Sequence, residues 1–131
     1  MNPIAKEQID AILPFLDCFE AEDFSIDARI DEPSQVPGFV LSEHAMKFYD
    51  ALYDNGWVAM EFDWPVWQHK AKDYVNSPDS IGATDAQTIQ KLFTTHVRKE
   101  RFCEGHLTSM FRIGHITALL RRLREIRDTM E

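Results

Sequence analysis

Residues 24 to 31 read Phe24-Ser25-Ile26-Asp27-Ala28-Arg29-Ile30-Asp31, in which Phe24, Ile26, Ala28 and Ile30 alternate strictly with Ser25, Asp27, Arg29 and Asp31. Successive side chains of a strand point to opposite faces, so a period of two predicts a half-buried β-strand. Trp57 to Asp63 repeats the pattern more weakly, with Val58, Met60 and Phe62 on one side, and offers a pairing partner. A two-stranded ribbon is marginal alone in water, so helices must cover it. The fold class that follows is α+β, predominantly helical, with a small ribbon of residues 24–31 and 57–62; without the ribbon the chain reads as all-α.

Outward from these stretches the apolar spacing is helical. Ile9, Ile12, Leu13, Leu16 and Phe19 share a face, and Pro14, which an unbroken helix would not accept, predicts a restart in the first turn of a second segment. After the Pro- and Gly-containing loop of residues 32–38, Ser42 opens a helix with Ala45, Phe48, Tyr49 and Leu52 inward, closed by Asn55-Gly56 in a left-handed turn. Asp63 precedes a helix carrying Trp64, Trp67, Ala71 and Tyr74, followed by a linker over residues 76–82. Thr84 and Gln87 form a capping box at the head of a long helical region reaching Gly114. Its stripe is Ala86, Ile89, Leu92, Phe93, His96 and Val97, continued by Cys103, Leu107, Met110 and Phe111. A last helix from about His115 sets Ile116, Leu119, Leu123, Ile126 and Met130 on a seam.

At 131 residues and 44% hydrophobic content the chain can bury one core, which predicts a single domain, 1–131. Its apolar runs fall short of the ~20 residues of a membrane span, and the start, MNPIAKEQID, lacks a secretory pattern, so a soluble cytoplasmic protein is expected. Cys18 and Cys103 suggest neither a disulfide framework nor a CxxC site and are expected to be free, buried thiols. A net charge of −8 argues against nucleic acid and anionic membrane as partners. Residues 1–63 hold 3 Lys and Arg against 14 Asp and Glu, and residues 64–131 hold 11 against 8, so the acidic half is expected to fold against the basic half.

Phe62-Asp63-Trp64 with Trp67, the run LFTTHVRKERFCEGHL from Leu92 to Leu107, and Gly114-His115-Ile116 followed by LLRRL at Leu119 to Leu123 occur in this order. Over roughly residues 57 to 127 the chain resembles a prokaryotic family of domains of unknown function, number 6508. Within the resemblance Thr94, Arg98, Arg101, Phe102, Glu104 and Gly105 are the specific part, and the first 56 residues look least typical. The resemblance implies no reaction, cofactor or catalytic residue.

On a continuous helix Arg98, Arg101 and Glu104 fall three apart on one face, where two guanidinium groups can grip a carboxylate or phosphate while Glu104 orients one of them. The bland alternative is internal pairing, Arg101 with Glu104 or with Asp63. Cys103 and His106 have the i, i+3 spacing of two metal ligands, and His96 or His115 could complete a site, but no recognised ligand spacing occurs and no metal is expected. Packing accounts for Phe102, Cys103, Gly105, Leu107 and a neutral, hydrogen-bonded core His96, and Thr94 can bond back one turn. Arg98, Arg101, Glu104, His106 and, near them, Asp63 remain as candidate binding residues.

The function expected is a non-enzymatic binding or adaptor module holding an acidic group of a protein partner or small anionic ligand, with no cofactor. The alternative is an enzyme on a phosphorylated or carboxylated small molecule, with Asp63, Glu104 or His106 as acid or base. A third reading makes Glu20, Glu22, Asp23, Asp27, Asp31 and Glu32 a nucleic-acid-mimicking decoy face. A homodimer through the C-terminal helix, with Arg127 pairing across its seam, is also considered.

Overall fold

The computed structural model describes residues 4–21 and 43–130, which fold as helices α1 (Lys6–Ile12), α2 (Pro14–Glu20), α3 (Glu43–Asp54), α4 (Trp64–Asn76), α5 (Ala86–Glu100), α6 (His106–Arg112) and α7 (His115–Thr129). A short 3-10 helix, Pro78–Ala83, joins α4 to α5. Among the described residues there is no strand, and the all-α alternative fits. Residues 24–31 and Ser42 lie outside the described set, but the second strand, 57–62, is corrected directly. Its backbone is spent on turns: Trp57 N–H donates to Leu52 O at 2.8 Å, Phe62 N–H to Ala59 O at 3.2 Å and Trp64 N–H to Phe62 O at 3.0 Å. Its alternate side chains serve different neighbours, with Val58 buried, Met60 exposed and Phe62 edge-on to Trp67.

Pro14 restarts the chain at the first position of α2, and Gly56 ends α3 with φ of +75°, both as the sequence predicts. The start of α5 slips by one residue. Asp85, not Thr84, is the cap and accepts from Thr88 N–H at 2.8 Å, because the Thr84 hydroxyl is already donating to Ile81 O at 2.8 Å. The long region ending at Gly114 is also broken, by residues 101–105.

The core gathers on Phe48, fully buried, with the rings of Phe15, Phe19, Phe93 and Phe111 at 5.4, 5.1, 5.8 and 6.0 Å. Edge-on aromatic contacts of this kind add to the burial itself. Against this centre α5 buries Ile89, Leu92, Phe93 and Val97, and α7 buries Ile116, Leu119, Leu120 and Leu123. The α7 seam is therefore occupied by the chain's own α1 and α2. Arg127 Nε donates to Asp10 at 2.7 Å and Arg121 Nε to Glu20 at 3.0 Å, so these C-terminal arginines meet N-terminal acids within one chain. Arg127, read from sequence as pairing across a dimer seam, is thus engaged internally. Of the acids grouped as a decoy face, Glu20 is tied to Arg121, and Glu22, Asp23, Asp27, Asp31 and Glu32 lie outside the described residues.

Candidate functional site

Helices α4 and α5 pack side by side and α6 returns across the end of α5. They enclose a cleft of about 260 Å³ walled by Lys72 and Val75 of α4, Thr95, His96 and Lys99 of α5, and His106 of α6. The polar residues of α5 in this region are held by the helix itself. Thr94 and Thr95 donate to the carbonyls of Gln90 and Lys91, each at 2.8 Å. Thr94 does more than bond back: its hydroxyl accepts from Ala59 N–H at 3.0 Å, fixing the segment after α3 against α5.

The turn from α5 into α6 brings the site together. Glu100, the last residue of α5, accepts from Gly105 N–H at 2.9 Å and from Leu107 N–H at 3.0 Å, which satisfies amide donors at the start of α6. Gly105 has φ of +92°, a conformation costly to a residue with a Cβ, and the next residue is His106. Gly114, at φ +80°, repeats the device before His115 at the head of α7. Each glycine turns one histidine onto His96. His106 Nε2 lies 3.0 Å from His96 Nδ1, and His115 Nε2 lies 3.0 Å from His96 Nε2. Replacing Glu100 with Ala should leave those amides unpaired, cost about 1–3 kcal/mol, and loosen His106. Urea unfolding reads the first effect and ring-proton NMR of His106 the second.

The three rings form a row rather than a shell around one point, because His96 directs one nitrogen to each neighbour. Among the described residues no group of three His, Cys, Asp or Glu is placed to hold a metal ion. Burial, then the neighbouring rings, hold His96 well below the ordinary histidine range. Burial and the Lys99 charge bring His106 to about 4, and burial followed by the His106 charge brings His115 to about 4. All three are neutral at pH 7. No carboxylate lies within ion-pair distance of Lys72 or Lys99 among the described residues.

The residues singled out from sequence disperse. His106 lines the cleft. Arg98 points its Nη1 at Met60 Sδ, 3.2 Å away, and its buried Nε has no partner among the described residues. Arg101 is exposed beyond the end of α5, so Arg98, Arg101 and Glu104 do not share a continuous helix face. Glu104 is exposed in the turn and, with Cys103, lines a more open hollow of about 450 Å³ on which His106 also borders. Asp63 is exposed ahead of α4 and its side chain makes no capping bond. Two packing expectations fail with the helix break. Phe102 is 76% exposed, stacked on Trp64 at 5.9 Å, and Cys103 is exposed; Cys18 is half-buried rather than buried. His96 is, as expected, a buried hydrogen-bonded core histidine.

Sequence reading missed Lys72, Lys99, Glu100 and the joining of His96 to His115. The available signal was the repeated Gly-His pair, Gly105-His106 and Gly114-His115, since a glycine at each helix start allows the abrupt reversal that brings distant histidines to one place. No curated protein and no solved structure matches the chain. The model of a family of unknown function, DUF6508, matches residues 4–129, so the acidic first half, read from sequence as atypical, is family sequence as well. The chain belongs to this family of unknown function.

Proposed function

We propose that the chain is a non-enzymatic binding module whose cleft between α4, α5 and α6 holds an anionic group of a small ligand or partner. The carrying observation is that Lys72 and Lys99, two cations without an ion-pair partner among the described residues, share that cleft with His106 in a chain of net charge −8. Two cations on the wall of one concave place raise the local positive potential and draw an anion to it. Arg98, Arg101, Glu104 and Asp63, set outside this cleft, take no part in this reading.

A second reading, enzymatic, is favoured by one observation. His106 is neutral at pH 7 and hydrogen-bonded to His96, the arrangement of a general base and the group that orients it. Native mass spectrometry of protein purified from its own host tests the binding reading. A retained anionic small molecule or acidic partner is expected, lost in a Lys72→Ala/Lys99→Ala variant that still melts cooperatively. Retention undiminished by that double substitution would overturn it. Conversion of the retained molecule by wild-type protein, abolished in His106→Ala, would replace it with the enzymatic reading.

A further inference from the structure

The row His106–His96–His115 imposes a proton count. Two inter-ring bonds need one proton each, and three neutral imidazoles carry three. The third must therefore sit on the outer nitrogen of one end, His106 Nδ1 or His115 Nδ1. Neither of these atoms makes a hydrogen bond among the described residues. If His106, which lines both the cleft and the open hollow, accepts from His96, its own proton is on Nδ1 and that atom is a donor. If the row runs the other way, Nδ1 is an acceptor. A fourth proton makes the row cationic and places a proton on both outer nitrogens at once.

We propose that this row makes the cleft a proton-coupled oxyanion site: a doubly charged oxyanion, by chemistry a phosphate monoester, enters with uptake of one proton onto His106–His96–His115. The inference rests on the anion reading above and adds the ligand class and its pH linkage. The proton comes from solvent, no bond in the ligand breaks, and the site gains one positive charge as it gains two negative ones.

The electrostatics around the row support the direction of the change. The row is kept neutral by burial and by the Lys99 charge. A dianion beside Lys72 and Lys99 offsets their two charges, removes the Lys99 penalty on a protonated His106, and so favours the charged row. Of the other charged groups bordering His106, Glu100 of α5 is already bonded to the amides of Gly105 and Leu107. Glu104 and Arg112, with the Cys103 thiol, lie on the open hollow at its other side. From α7 the facing group is His115 itself, which heads its helix as His106 heads α6, so the helix ends disfavour charge at both ends of the row and the bound dianion, on the cleft that His106 lines, draws the added charge to His106. His106 is then the contacting donor, and His96 and His115 are positioning residues.

Sulfate tests this, because it is a dianion that does not itself titrate between about pH 5 and about pH 8. Calorimetry in buffers of different ionisation heat should show uptake of about one proton, and affinity should strengthen by up to about tenfold per pH unit as pH falls toward 5. Ring-nitrogen NMR of the wild-type protein should show both His106 nitrogens protonated in the sulfate complex, so no variant need fold. In His115→Asn the proton uptake should fall while sulfate still binds. Sulfate binding with pH-independent affinity and unchanged rings would overturn the proton coupling and leave the anion reading standing. Absence of sulfate binding at every pH would overturn both.

Discussion

Lowering the pH from about 7 to about 4 is expected to destabilise the fold by several kcal/mol, with most of the loss below pH 6.5. A histidine whose folded value is depressed binds a proton more readily in the unfolded chain. Stability is therefore whole above the ordinary value of 6.5 and lost as pH falls toward the folded value. For buried His115, held at about 4, the difference corresponds to about 3 kcal/mol at the acid end. His96 acts in the same direction. Half-buried His106 contributes less than its depression suggests, because water screens it. Urea unfolding at stepped pH should give a slope corresponding to uptake of roughly two protons near pH 5. A stability that stays flat between pH 7 and pH 5 would show that the rings are already charged or hydrated in the folded chain.

Phe48→Ala is expected to cost about 3–5 kcal/mol, a large share of the ~5–15 kcal/mol typical of a domain. Phe48 is fully buried, and the rings around it come from α2, α5 and α6, so no single neighbour can move in to fill the space. Phe48→Leu keeps much of the volume and should cost less than half as much. Thermal melts of the two variants provide the comparison. Equal losses would indicate that ring geometry rather than volume sets the stability here.

Local signals were legible in the sequence wherever one residue decides the backbone. Pro14 marked the restart between α1 and α2, Asn55-Gly56 the end of α3, and the apolar spacing from Ile116 to Leu123 the inward face of α7. Alternation at Val58, Met60 and Phe62 misled because period two records only which way side chains face. It cannot record whether the backbone groups find a ladder or a set of turns. The break after Glu100 was signalled only by Gly105, which either allows a close helix crossing or ends a helix, because Arg101 to Glu104 hold no proline or glycine. It depends on the Glu100 carboxylate reaching forward to two amides, a contact that spacing alone does not encode. The histidines joined at the cleft come from three helices, and their meeting is a tertiary event. Arg98, Arg101 and Glu104 had the better spacing yet end on different surroundings once the helix stops.

The joining of α1 and α2 to α7 has a consequence for how the chain reaches its native state. Asp10 meets Arg127 and Glu20 meets Arg121, contacts separated by 117 and 101 residues. Closing such large loops costs chain entropy before any apolar contact repays it, and topologies rich in distant contacts assemble slowly. During synthesis Ile9, Ile12 and Leu16 emerge long before Leu119 and Leu123 exist to cover them. α3 can cover part of α1 and α2 early, but their α7-facing side stays uncovered until α7 leaves the ribosome, and that interval is when the nascent chain is most open to aggregation or chaperone capture.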